Sequence, residues 1–155
     1  MPVHPIRFAI GPGRTPDRAS LVAAARTVER LGFSTLTVAD HFVVPFSPLL
    51  ALPAAADATS TLRVTQTVLN QDFRHPAVLA KDLATLDVLS DGRLEIGLGA
   101  GWKQAEYAEA GLRFDPAPER IERLEDDRLG ISYFCAPVGV GPAELAPVVA
   151  RLSGR

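Results

Sequence analysis

Short runs of β-branched and apolar residues alternate along this chain with longer stretches in which apolar residues recur at helical spacing. A strand, a crossover helix and a second strand are the unit of a parallel sheet, so the alternation predicts an α/β fold. The predicted strands are residues 6–10, 35–39, 64–69, 94–98 and 131–135. The predicted helices are residues 16–31, 49–58, 76–90, 104–110, 118–129 and 142–152.

Capping residues set the expected ends of the first and third helices. Thr15 is expected to cap the first helix, with Pro16 at its first position, and Gly32 to end it. His75 is expected to cap the third helix, which a turn at residues 91–92 ends. The residues expected to form the apolar faces of these two helices are Leu21, Ala24, Ala25, Val28, Leu31, Leu79, Leu83, Leu86 and Leu89.

Composition places the chain among ordinary globular domains. It has 155 residues, of which 47% are hydrophobic and 22% charged, with a formal net charge of -2. This balance argues against a nucleic-acid or membrane-surface partner, and no apolar run reaches the ~18 residues that a membrane span needs. The amino terminus lacks the pattern of a signal peptide, so a cytoplasmic protein is expected. The single cysteine, Cys135, excludes an internal disulfide and cannot form a metal site alone.

Polar and glycine-rich segments follow three of the predicted strands. Asp40 and His41 follow the second strand, Asn70 follows the third, and residues 99–102 follow the fourth. Function in parallel sheets collects at the carboxyl ends of the strands, so these segments mark the expected working face. The pattern fits either an open doubly wound sheet or part of a (β/α)8 barrel. Residues 11–13 lack the third glycine of a dinucleotide-binding loop, which argues against a dinucleotide site in a doubly wound sheet.

Three segments of the chain resemble a known family. They are LGFSTLTVADHF at residues 31–42, the long stretch TQTVLNQDFRHPAVLAKDLATLDVLSDGRLEIGLGAGW at residues 65–102, and EYAEAGLRFDP at residues 106–116. The chain resembles the luciferase-like flavin monooxygenase superfamily, and within it the branch that uses the deazaflavin coenzyme F420. The resemblance covers about residues 6 to 125. It implies a (β/α)8 barrel whose members transfer a hydride or activate oxygen at a flavin or deazaflavin.

The length of the chain departs from that family. A barrel of this type needs ~250 residues, and this chain has 155. Residues 128–155 resemble the extreme carboxyl terminus of the family, which predicts an internal deletion near residues 122–129, where Arg-Leu occurs twice. We therefore expect a single domain over residues 1–155, an incomplete TIM barrel of about five parallel strands. With its open sheet edges the chain could remain an open five-strand sheet, pair with a second copy or aggregate, and of these we expect a homo-oligomer.

The resemblance also implies the roles of individual residues. His41 is the implied catalytic residue, and an imidazole can transfer a proton near neutral pH. A non-proline cis peptide bond between Thr67 and Val68 is implied behind the deazaflavin ring, with Asn70 beside the polar edge of the ring. The other implied cofactor-binding residues are Asp40, Gly99, Ala100, Gly101 and Trp102.

Each of these residues also has a purely structural interpretation. His41 could be a polar loop residue, Asp40 could cap the turn that follows it, and Asn70 could cap a turn after the third strand. Trp102 could be a core or lid aromatic that packs residues 103–111. Tight-turn geometry could equally explain the glycines of residues 99–101.

Two charged segments have alternatives of their own. Arg74 could meet an anionic arm of the cofactor or remain a solvated loop charge. The charges of residues 119–128 alternate in sign, which is typical of a solvated helix face.

Two functions are therefore predicted. The first is a luciferase-like oxidoreductase that transfers a hydride between coenzyme F420, or alternatively FMN, and a small organic substrate, without a metal. The alternative is a catalytically inactive truncated remnant that folds or assembles with another chain.

Overall fold

Parallel strands and helices alternate in the computed structural model, which describes residues 6–126. The strands are β1 (Ala9–Ile10), β2 (Thr35–Val38), β3 (Arg63–Gln66), β4 (Leu69–Asn70), β5 (Leu94–Glu95) and β6 (Leu98–Gly99). The helices are α1 (Arg18–Arg30), α2 (Pro48–Asp57), α3 (Pro76–Leu89), α4 (Gln104–Ala110) and α5 (Ala117–Asp126), with one 3₁₀ turn at Gln71–Phe73. The predicted fold class, a parallel α/β sheet, is confirmed for this part of the chain.

Two neighbouring strands of the sheet are each broken into two shorter strands, and the two breaks lie side by side. Strands β1, β2, β3 and β5 pair in that order, and β4 pairs separately with β6, all in parallel. Each of the strands predicted at residues 64–69 and 94–98 is therefore two short strands. The break in the first lies at a cis peptide bond between Thr67 and Val68. The amide of Leu69 then donates to the carbonyl of Gly97 at 2.8 Å, which re-establishes the pairing beyond the break.

Two apolar clusters join the helices to the strands. The first packs α1, α2 and α3 on the strands β2 and β3, and the second packs α3 and α5 on β4 and β6. Fully buried members include Leu36, Leu52 and Val64 in the first cluster and Leu69 in the second. The helices thus cover one face of the sheet and hold the strand ends in fixed positions.

The ends of the helices correct several predictions. The carboxylate of Asp17, not Thr15, caps α1, because it accepts from the Ser20 amide at 2.8 Å while the Ser20 hydroxyl accepts from the Asp17 amide at 3.2 Å. Leu31 and Leu89 were expected in the apolar faces, but each is 66% exposed because α1 and α3 end just there. The His75 cap is confirmed, since its ring accepts from the Ala77 amide at 3.3 Å.

The prediction of a solvated charged face holds for Glu119 and Glu122, which are exposed, but is wrong for two arginines of α5. Arg120 is buried, donates to the carbonyls of Ala100 at 3.0 Å and of Asp115, and lies 4.0 Å from the centre of the Phe114 ring. Arg123 bridges the carboxylates of Asp115 at 2.8 Å and Asp72 at 3.1 Å. The cations of α5 therefore fasten this helix to the loops after β4 and β6.

Several predictions fall partly or wholly outside the described residues. The strand at residues 131–135, the helix at residues 142–152 and Cys135 all lie beyond them. Helix α5 continues unbroken to Asp126, through the first part of the predicted deletion region. Within residues 6–126, no helix is long and apolar enough to cross a membrane.

Candidate functional site

The ends of β2, β4 and β6 converge at one end of the sheet, and α4 crosses beside them. Strand β2 delivers Asp40 and His41, β4 ends at Asn70, and β6 continues into residues 100–102. Direct contacts show that these segments lie together, and their use as a working face stays a prediction.

A buried carboxylate on α4 holds the His41 ring. Glu106 is 3% exposed, and its two oxygens lie 2.9 and 3.2 Å from His41 Nδ1. The same carboxylate accepts from the Phe42 amide at 3.2 Å and from the Lys103 ammonium at 2.9 Å. One acidic side chain therefore accepts hydrogen bonds from the loop after β2 and from the residue that precedes its own helix.

The charge of Glu106 determines the state of the His41 ring. Burial alone would raise the pKa of Glu106, but hydrogen bonds from His41 and Lys103 outweigh it and hold that pKa below its ordinary value. An ionised carboxylate only accepts hydrogen bonds, so His41 Nδ1 must carry a proton and donate it. In the neutral ring Nε2 is then the basic nitrogen, and it has no partner within residues 6–126.

Sequence reasoning did not single out Glu106. The signal available was its place in the first turn of a helix that follows a strand end on the working face. Its partner lies 65 residues earlier in the chain, so only the packing of α4 across the end of β2 brings the two together.

Asp40 forms an ion pair within the site. Its carboxylate receives both terminal nitrogens of Arg74, at 2.6 and 2.8 Å, and the amide of Asn70 at 3.0 Å. Arg74 is therefore not a solvated loop charge, so that alternative is wrong, while a contact with an anionic arm of the cofactor stays a prediction. Asp40 does not cap the turn after it either; it ties the end of β2 to the end of β4.

Asn70 belongs to a buried polar network with α4. Its side-chain oxygen caps the 3₁₀ turn by accepting from the Asp72 amide at 3.1 Å, which confirms the turn-capping interpretation. The Tyr107 hydroxyl lies 2.7 Å from Asp72 and 3.1 Å from the Asn70 oxygen. Burial, together with the hydrogen bond to Asp72, raises the pKa of Tyr107 to about 12, so this phenol stays protonated.

The cis bond implied at Thr67–Val68 is present, and glycines pack against it. A Cβ placed on Gly99 would lie 2.5 Å from a methyl of Val68, and one on Gly97 would overlap the Gln66 carbonyl. Close packing within the protein thus explains these two glycines.

Gly101 has a similar explanation. Its φ of 72° lies in the left-handed region, and a Cβ there would overlap the Tyr107 hydroxyl. The approach of a cofactor to this glycine-rich segment stays a prediction.

Trp102 lies at the edge of the site and not in the core. Its indole is 57% exposed and meets the His41 ring edge-on, with 5.7 Å between ring centres. Nearby, the Phe42 ring stacks on Phe73 at 4.8 Å and is 48% exposed. The face around His41 is therefore aromatic and open. Within residues 6–126, no group of three or more His, Cys, Asp or Glu side chains is arranged to hold a metal ion.

Comparison with known proteins identifies relatives of this chain. The family model described as luciferase-like monooxygenase matches residues 2–126. An F420-dependent glucose-6-phosphate dehydrogenase from Amycolatopsis mediterranei is 34% identical over 115 residues, which are 68% of this chain and 34% of that protein. The chain spans between about a quarter and a half of the length of the curated relatives that it matches.

Solved structures agree with this likeness. The coenzyme F420 dependent tetrahydromethanopterin reductase from Methanopyrus kandleri matches with a TM-score of 0.59 and 31% identity, over 69% of this chain and 30% of that chain. The monooxygenase RslO1 from Streptomyces bottropensis matches with a TM-score of 0.67 and 26% identity, over 79% of this chain and 41% of that chain. The predicted incomplete TIM barrel is thereby confirmed, and the relatives of this chain include an F420-dependent dehydrogenase and a monooxygenase.

Proposed function

Because the chain belongs to the luciferase-like monooxygenase family, we propose that it binds a deazaflavin, coenzyme F420, and supports hydride transfer to or from a small organic substrate. The observation that carries this proposal is the His41–Glu106 pair, a positioned proton acceptor at the carboxyl ends of the strands. The F420-dependent relatives support the deazaflavin over FMN, the alternative cofactor.

The face beside His41 suits a flat heterocyclic ring. Residues 99–101 carry no side chain larger than a methyl group, and of these three residues Gly101 is partly exposed. The exposed Thr67, with the half-buried Val68, lies beside it. We infer that the Thr67–Val68 segment contacts one side of the ring and that residues 99–102 contact its rim, with Asn70 at the polar edge. Asp40, paired with Arg74, fixes the position of Asn70, and its contact with the cofactor remains part of the proposal.

His41 manages the proton in this proposal, while the bound coenzyme supplies a carbon that accepts or donates a hydride. Glu106 fixes the ring tautomer in which Nε2 is basic. When an alcohol is oxidised, Nε2 takes the hydroxyl proton while the hydride leaves the carbinol carbon. Glu106 stabilises the resulting imidazolium, and the proton returns by the same route in the reverse direction.

The first test is a titration with coenzyme F420 and, separately, with FMN, followed by cofactor fluorescence. We expect saturable binding of coenzyme F420 at micromolar concentration. His41→Ala is expected to leave affinity within about threefold but to slow deazaflavin bleaching by a panel of alcohols, including glucose 6-phosphate, by about 100-fold or more.

His75→Ala is the matched control, because this histidine is exposed and its ring caps α3 without a contact to His41 or Glu106. Failure of the folded protein to bind coenzyme F420 rejects the proposal. If FMN binds more tightly than coenzyme F420, FMN is the cofactor instead. Unchanged bleaching by His41→Ala removes His41 from the mechanism.

A further inference from the structure

The residues around His41 also carry information about the substrate. Resting on the proposed function, we propose that the substrate is a neutral molecule with one hydroxyl or carbonyl oxygen on an apolar planar skeleton, and that Trp102 and Phe42 bind this skeleton.

The exposed aromatic side chains are the first observation. Trp102 is 57% exposed although its ring contacts the His41 ring. Phe42, which directly follows His41 in the chain, is 48% exposed. Phe42 is supported from behind by Phe73, which in turn packs on Tyr107 with 5.6 Å between ring centres. These rings are held in place before any ligand arrives, and covering them with an apolar ring removes apolar surface from water.

The charges around His41 disfavour an anionic substrate. The ammonium of Lys103 is bound to Glu106 at 2.9 Å, and the guanidinium of Arg74 is bound by both its terminal nitrogens to Asp40. A phosphate at this position would share a cation that a carboxylate already neutralises, and it would lie near that carboxylate. The repulsion and the loss of phosphate hydration cost free energy that a neutral ligand does not have to supply.

The hydrogen-bonding capacity of the site fits a single oxygen. Glu106 occupies His41 Nδ1, so Nε2 is the ring nitrogen that faces a substrate. A hydroxyl donates to Nε2, and its oxidation sends the proton to Nε2 and the hydride to the deazaflavin, leaving a ketone. The reverse reaction protonates the ketone oxygen from the same nitrogen.

The chain contains a single tryptophan, which makes the test site-specific. In the nitrogen-labelled protein, the one indole N–H signal reports on Trp102 directly. We expect 1-phenylethanol to shift this signal saturably, with a half-saturation concentration about tenfold or more below that of glucose 6-phosphate. Equal or tighter binding of glucose 6-phosphate, or no shift with 1-phenylethanol, overturns the proposal.

Variants assign the binding to the aromatic face. By saturation transfer from protein to ligand, Trp102→Ala is expected to weaken 1-phenylethanol binding about tenfold, whereas Trp102→Phe keeps it within about threefold. Phe8→Ala, which removes another exposed aromatic ring at the amino end of β1, is expected to change nothing. Unaltered binding by a Trp102→Ala variant with an unchanged circular dichroism spectrum overturns the assignment.

The two proposals fail separately. Binding of coenzyme F420 without discrimination between 1-phenylethanol and glucose 6-phosphate rejects the substrate class alone. Discrimination without binding of coenzyme F420 rejects the hydride-transfer proposal and leaves the aromatic binding face in place.

Discussion

A single carboxylate organises the candidate site at the residue scale. Glu106 receives His41, the Phe42 amide and Lys103, so it holds the proton acceptor and the aromatic residue beside it at once. Burial of a carboxylate is costly unless it is paired and hydrogen-bonded, and here three donors compensate for it. The role of His41 therefore depends on a residue of a different element.

Replacing Glu106 by Gln tests this dependence. The amide keeps the size of the side chain but removes the charge that stabilises the His41 imidazolium. We expect Glu106→Gln to lower the rate of deazaflavin bleaching by about tenfold or more and to shift its pH profile, with affinity for coenzyme F420 within about threefold. Glu109→Gln, an exposed position on the same helix, is the control. A pH profile identical to that of the unmodified protein would contradict the role given to Glu106.

The locations of individual site residues were predictable from sequence where the residue directly follows a predicted strand. His41 and Asn70 follow directly from strand ends, and both lie where the pattern places them. The partners of Asp40 and His41 were not predictable, because Arg74 lies 34 residues away and Glu106 lies 65 residues away. Ion pairs across such distances depend on how the loops fold over the sheet.

At the scale of elements, the predicted bounds of the helices agree with the structure better than the predicted bounds of the strands do. Apolar spacing and caps place α2 and α3 within one or two residues of prediction. The divided strands were not visible in the pattern, because the run at residues 64–69 is apolar and β-branched across the break. The docking of α5 was also missed, since alternating charges cannot reveal that Arg120 and Arg123 find carbonyls and carboxylates to bind.

The packing of β6 on the break in the neighbouring strand gives a prediction for Gly99. A methyl group there would meet a Val68 methyl at 2.5 Å. We expect Gly99→Ala to destabilise the fold by about 1–3 kcal/mol in chemical denaturation, and Val68→Ala in the same chain to restore part of that loss. Gly11→Ala is the control, because a Cβ at Gly11 meets nothing closer than 3.7 Å. Equal losses for the two glycine variants would contradict this packing.

For the whole molecule, the described sheet has two open edges. Within residues 6–126, β1 pairs only with β2, and β5 pairs only with β3. Assembly with a second copy stays a prediction, and light scattering on the purified chain measures it.

Several carboxylates accept hydrogen bonds from backbone amides, and the stability of the fold therefore depends on pH.

Glu29 and Glu106 predict how stability changes in acid. Hydrogen bonds from residues 60–62, that of Thr61 above all, lower the pKa of Glu29, and the pKa of Glu106 is also below its ordinary value of 4.5. Unfolding then takes up protons as the pH falls, so the stabilisation is complete above 4.5 and is lost as pH falls through the folded-state values. We expect the free energy of unfolding, measured by denaturant titration at several pH values, to decline below 4.5.

A variant separates the share of Glu29 in this decline. Glu29→Gln is expected to be less stable at neutral pH and to lose less stability in acid, whereas the exposed Glu122→Gln keeps the original slope. An unchanged acid slope in Glu29→Gln would show that other carboxylates account for the pH dependence.

The contact between Val68 and Gly99 has a consequence for how this protein can change by mutation. Position 99 is not free while position 68 keeps its valine: a larger residue at 99 has no room until 68 becomes smaller. A lineage that exchanges Val68 for alanine first opens a path to a side chain at position 99, whereas the reverse order passes through a poorly folded intermediate. The order of two substitutions, and not only their identity, therefore decides which descendants of this sequence are accessible.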